Sequence, residues 1–207
     1  VFSPKFKVKI NESVKVIGTP ELEVFARKYQ INRYAPARYS WYFLLQLMMY
    51  QQKFGVEPAE IVEAIKELEI DGNHNLIKPA TQFRHLPLKG LWHKHYFSAR
   101  FMAQNLQLHH GKNGIKKILN KHWTPGQDLT DDILRTVAEE FTFKAFEDRA
   151  DSGKLTGEWL VFAKYKGENF YLALGEHEGD HQSLYDAIKT LCVPQFNFLA
   201  DILNTEG

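Results

Sequence analysis

The run Trp159-Leu160-Val161-Phe162-Ala163-Lys164-Tyr165, then Lys166-Gly167-Glu168, then Asn169-Phe170-Tyr171-Leu172-Ala173-Leu174 decides the fold class. Two segments dense in aromatic and aliphatic residues, joined by a short polar stretch with a glycine, carry the signature of an antiparallel hairpin. Downstream, Gly175 to His181 reads as a loop, Ser183 to Leu191 as a helix stopped by Pro194, and Phe196 to Leu203 as a short apolar terminal segment. Upstream, Thr130 is a candidate cap for a helix with Asp131 and Asp132 in its first turn, running to about Ala150.

The first half of the chain reads mainly as helix. Lys5-Phe6-Lys7-Val8-Lys9-Ile10 alternates basic and apolar with period two, a half-buried strand that Val14 to Ile17 is placed to pair with. Thr19-Pro20-Glu21 starts a helix through about Tyr29. Arg38 to Phe54 is apolar nearly all round and reads as a central helix ended by Gly55. Glu57-Pro58 opens an amphipathic helix to about Ile70, with Ile61, Val62, Ile65 and Leu68 on one face. Pro79 and Pro87 make Leu76 to Leu88 extended or looping, and helical spacing returns from about His95 to Leu108. A short basic helix spans Ile115 to Trp123, and Thr124-Pro125-Gly126 then breaks the chain. The expected fold is α+β, predominantly helical, with a small antiparallel sheet built on the C-terminal aromatic hairpin and the N-terminal strands as candidates to extend it. A helical region over 1–71 precedes a basic, histidine-rich segment and an acidic α+β region over 72–207, in one continuous domain or two.

The chain of 207 residues is 44% hydrophobic and 25% charged, too apolar for a disordered protein. No apolar run approaches the about 18 residues of a membrane span, and no basic-then-apolar leader opens the chain. The lone Cys192 reads as a small core residue and fits a reducing cytoplasm.

A net charge of +1 conceals strong asymmetry. Residues 1–71 carry ten basic and nine acidic side chains; 72–127 carry nine basic side chains, seven of the nine histidines and no carboxylate; 128–207 carry seven basic and sixteen acidic. The basic block either neutralises the acidic tail within one fold or presents a surface to a polyanion.

The densest chemistry is Arg84-His85 followed by Lys89-Gly90-Leu91-Trp92-His93-Lys94-His95-Tyr96. In extended chain His93 and His95 project to one side. That geometry has three uses: a shared metal site, a general acid and base with Lys94 and Arg84 nearby, or half-buried histidines at the edge of an aromatic cluster with Trp92 and Tyr96. Imidazole titrates near pH 6.5, so a neutral and a protonated ring coexist at neutral pH. A second constellation, His177 and His181 among Glu176, Glu178 and Asp180, has metal-ligand spacing, but Gly175 and Gly179 place it in a loop. His109-His110-Gly111 suits a helix C-terminus. Trp92, Tyr96 and Trp123 are core residues or platforms for stacked bases.

An α-rich front half, a basic histidine-bearing centre and a terminal aromatic hairpin resemble the superfamily of small toxin-type endoribonucleases that includes barnase and the colicin and RelE toxins. The resemblance implies a metal-independent cut of RNA by histidines, with cations steadying the phosphate and a Thr or Ser assisting on the sheet. It points to His85, His93, His95, His177 and Thr156 as catalytic and to Arg84 and Lys94 as substrate-binding; Lys89 and Arg100 of the same basic block are further substrate-binding candidates. The expectation is a cytoplasmic protein acting on RNA or another polyanion without a cofactor. Two alternatives stand beside it. One is a hydrolase using a divalent metal such as zinc, held by His93, His95, His177 and His181 with Asp180. The other is a non-enzymatic module whose basic block binds nucleic acid or an acidic protein.

Overall fold

In the computed structural model, β1 (Lys5–Ile10) and β2 (Ser13–Gly18) pair as an antiparallel hairpin of their own. The described residues are 2–10, 13–70, 79–96, 113–124, 126–128, 130–140, 158–176 and 179–204. Helix α1 (Thr19–Lys28) follows at once, with Pro20 in its first turn and the Glu21 carboxylate accepting from the Gly18 amide at 3.0 Å. After the single turn α2 (Ile31–Tyr34), α3 (Trp41–Phe54) starts where Ser40 Oγ accepts from the Phe43 amide at 2.9 Å, and it ends at Gly55, whose φ of 65° is left-handed. Helix α4 (Pro58–Glu69) buries Ile61, Val62, Ala64 and Ile65, the face its spacing predicts.

The second sheet has the order β3 (Thr81–Gln82), β4 (Trp92–Tyr96), β5 (Glu158–Tyr165), β6 (Glu168–Glu176), antiparallel throughout. The aromatic hairpin forms as predicted, with a two-residue turn. Lys166 and Gly167 both take positive φ, 50° and 82°, the backbone twist that matches the flanking strands. Helix α7 (His181–Leu191) and the short α8 (Leu199–Leu203) complete this part of the chain, after α5 (Gly114–His122) and α6 (Asp131–Glu139). The eight helices among the described residues and the two antiparallel sheets make the fold α+β. No helix among them is long and apolar enough to cross a membrane.

The chain divides into two compact units, residues 1–97 with 158–207, and residues 98–157. In the first, β5 and β6 are buried on both faces. Leu160, Phe162, Tyr171 and Leu174 meet Phe43, Leu44, Leu47, Ile61 and Ile65 on one side. Val161, Ala163, Leu172 and Ala173 meet Leu91, Ile188, Cys192 and Leu199 on the other. In the second unit α5 and α6 pack together, burying Ile118 and Val137. There Glu140 bonds His122 at 2.7 Å and Lys121 at 2.8 Å.

Three expectations are corrected. The N-terminal strands do not extend the aromatic sheet; β4 occupies that place, its five residues pairing with Trp159–Phe162 and Glu158. His95 and Tyr96 are therefore strand, not the start of a helix, and 97–108 lies outside the described residues. Arg38 to Ser40 is not the first turn of α3. Its backbone runs beside β6, with the Tyr171 amide donating to the Arg38 carbonyl and the Ser40 amide to the Tyr171 carbonyl, both at 2.8 Å.

Arg38 also donates to Glu69 at 2.5 Å, and Glu69 accepts from Tyr171 at 2.6 Å and Asn169 at 3.1 Å, which ties α4 to β6. Burial alone would raise the Glu69 carboxyl, but the Arg38, Tyr171 and Asn169 hydrogen bonds outweigh it and hold it below its ordinary value of 4.5. A carboxyl depressed by folding stabilises the fold above its unfolded pKa, and that contribution is lost as pH falls through the folded one. Glu69→Ala should cost about 3 kcal/mol in urea unfolding at neutral pH by removing the buried partner of Arg38 and leaving it only the more exposed Glu168 as a counter-charge. The gap between wild type and variant should close in acid; a gap that is constant with pH would refute this origin. Cys192 is buried and its thiol is pushed up to about 12 by burial. Maleimide labelling at neutral pH should therefore be far slower in the native protein than in urea, and equal rates would contradict the packing.

Candidate functional site

Strand alternation sorts the chemistry of β4. Trp92, Lys94 and Tyr96 face the helices α3 and α4, while His93 and His95 face the other side of the sheet. The two imidazole rings lie 5.5 Å apart at 77°. Trp159 stands directly across from His95 in register, on the same face, with its ring 5.0 Å from His93 and 6.4 Å from His95. Phe83 closes the cluster at 4.4 Å from His93 and 5.0 Å from Trp159.

His181 joins the same tryptophan from α7, ring to ring at 5.2 Å. It arrives there through a glycine. Gly175 pairs with Trp159 across the hairpin, and a Cβ at that position would sit 2.8 Å from Leu184 Cδ2. The missing side chain lets α7 approach the sheet closely enough for its first residue to reach Trp159. His181 Nε2 is buried with no hydrogen-bond partner among the described residues. His93 and His95 are half-buried, and Trp159 is 5% exposed. His181 also borders a cavity of about 230 Å³ lined by Tyr42, Gln46, Tyr50, Glu176 and Asp180.

The remaining sequence candidates separate. Arg84, His85 and Lys89 are exposed on the loop between β3 and β4, whose base is closed by the Phe83 amide on the Leu91 carbonyl at 2.9 Å. Lys94, placed by the sequence beside the histidines, is corrected: it is buried on the opposite face and paired with Glu67 at 3.0 Å. A strand residue between two others points away from both, so the neighbour in sequence is the far side in space. Asp180 is the N-cap of α7, its carboxylate accepting from the Ser183 amide at 3.0 Å and from the Ser183 hydroxyl at 2.6 Å. Among the described residues no three His, Cys, Asp or Glu side chains converge on a metal position. His177, Thr156 and Arg100 lie outside the described residues.

Sequence reasoning missed Phe83 and Trp159 as walls of the site. Trp159 was legible only as a strand aromatic, because its place beside His95 follows from the pairing register. On the helical face a second polar group is buried: Tyr96 donates to Glu158, and burial, then Glu158, raises the phenol well above its usual range. Comparison with known protein families, with curated proteins and with solved structures finds no match for this chain.

Gly175→Ala should lower stability by about 1–2 kcal/mol by crowding Leu184, and should weaken the His181 contact with Trp159. Thermal melting and near-ultraviolet circular dichroism, compared with a Trp159→Phe background to isolate the Trp159 signal from the other three tryptophans, would report both, and a variant matching wild type in each would show that α7 does not need this glycine.

Proposed function

We propose that this protein acts on nucleic acid, as a metal-independent endoribonuclease in which His93 and His95 serve as general acid and base. The observation that carries the reading is the pair of imidazoles 5.5 Å apart on one sheet face, held by Trp159 and Phe83. One neutral ring takes the proton of a ribose 2′-hydroxyl as its oxygen attacks phosphorus. The other, protonated, gives its proton to the departing 5′-oxygen as the P–O bond breaks. The products are a 2′,3′-cyclic phosphate and a 5′-hydroxyl, and the two histidines end with their protonation states exchanged. Arg84 on the adjacent exposed loop is the cation assigned to the phosphorane, since Lys94 is committed to Glu67. The reading suits the carboxylate-free block over 72–127 and a cytoplasmic setting, where the lone buried Cys192 needs no disulfide partner.

A quenched fluorescent RNA incubated with the protein in excess chelator tests it. Cleavage should persist in chelator, show a bell-shaped pH profile, and spare the equivalent DNA, which lacks the 2′-hydroxyl. His93→Gln and His95→Gln should each reduce the rate on the order of a hundredfold or more with unchanged melting temperatures. Cleavage restored only by added zinc would favour the metal-dependent alternative. Binding without turnover would favour the interaction module.

A further inference from the structure

The hairpin formed by β1 and β2 has two unlike faces. Phe6 and Val8 pack against the helical core together with buried Ile17. The alternate residues Lys5, Lys7 and Lys9 are all exposed on the outer face. The pairing register sets Val16 opposite Lys7 and Val14 opposite Lys9. These valines are 56% and 68% exposed and stand among the lysines on the same face. Neither strand contains a carboxylate. Lys5, Lys7 and Lys9 form no ion pair among the described residues.

We propose that this face docks the sugar–phosphate backbone of single-stranded RNA, an inference that rests on the reading above and adds to it a binding surface separate from the histidines. Residues two apart on a strand are about 6.8 Å apart. The three ammonium groups therefore form an evenly spaced row, complementary to a polymer that carries one negative charge per unit. Lysine supplies point charges without the planar fork that reads base edges, so the row holds phosphates independently of sequence. Val14 and Val16 lie beside the row and offer apolar contact to the sugars. A second copy of this chain is a poor occupant, because face-to-face packing sets lysine against lysine. A lipid surface is also poorly matched, because the face lacks the Trp, Phe and Leu that anchor interfacial segments.

The test uses the full chain and a fluorescent 2′-O-methyl RNA, which offers phosphates but no attackable hydroxyl. Affinity is read by anisotropy across a salt series for wild type and for the triple variant Lys5→Ala, Lys7→Ala, Lys9→Ala, with circular dichroism to confirm the fold. The variant should bind about tenfold more weakly at moderate salt, and the slope of log affinity against log salt should fall by about 2, the loss of three phosphate contacts. Unchanged affinity and slope would overturn the proposal, as would wild-type binding to phosphatidylserine vesicles or poly-glutamate in preference to the RNA. The two readings fail separately. Lysine-dependent binding without cleavage of ordinary RNA supports the docking face and removes the ribonuclease. Cleavage with a KM that the triple variant leaves unchanged keeps the ribonuclease and removes the docking face.

Discussion

The sheet edge at β6 is the constraint on which the first unit depends. An open edge strand presents unpaired backbone amides and carbonyls, and an apolar one invites pairing with other chains. Here the edge is covered by its own chain. Arg38 to Ser40 bonds the backbone of Tyr171, and Ser40 Oγ donates to the Leu172 carbonyl at 2.6 Å. Nearly two helical turns further on, the Gln46 side-chain amide accepts from the Leu174 amide at 2.8 Å and donates to its carbonyl at 3.1 Å, as a neighbouring strand would. Ser40 also caps α3, so the helix start and the edge closure are the same event. Glu69 joins the end of α4 to this seam through Arg38, Tyr171 and Asn169.

With that edge closed, β5 and β6 sit between two helical layers, and a sheet buried on both faces separates whatever its strands carry. Lys94 with Glu67, and Tyr96 with Glu158, lie toward α3 and α4. His93, His95 and Trp159 lie toward α7. Among the described residues, buried Lys94 finds the Glu67 carboxylate and buried Glu158 finds the Tyr96 hydroxyl, each on its own side of the sheet, as the low-dielectric interior demands. The histidines keep partial exposure because β4 is followed in the sheet only by the two-residue β3, whose connecting loop brings Phe83 over His93.

Local periodicity and turn chemistry were enough to read much of this molecule. The hairpin at Lys166-Gly167, the Gly55 end of α3, the amphipathic face of α4 and the Thr130 cap of α6 follow from a few adjacent residues each, because the forces that form them act within one turn or one strand pair. The shared side of His93 and His95 was legible for the same reason, since a strand alternates strictly. The position of Lys94 follows from that alternation too, yet sequence proximity and like charge grouped it with the histidines.

What the sequence by itself determined, then, is most of the elements, though not strand β4 or the start of α3, and the face each residue takes within its own element. Only the tertiary structure decided which elements meet. The pairing of β4 with β5 fixed Trp159 beside His95, the absent side chain at Gly175 admitted α7 and brought His181 to the same ring, and the Arg38–Glu69 contact joined positions 31 residues apart. Such contacts depend on pairing register and close packing between distant segments. No local rule encodes those quantities, because many registers satisfy the same alternation and only simultaneous burial of both sheet faces selects one.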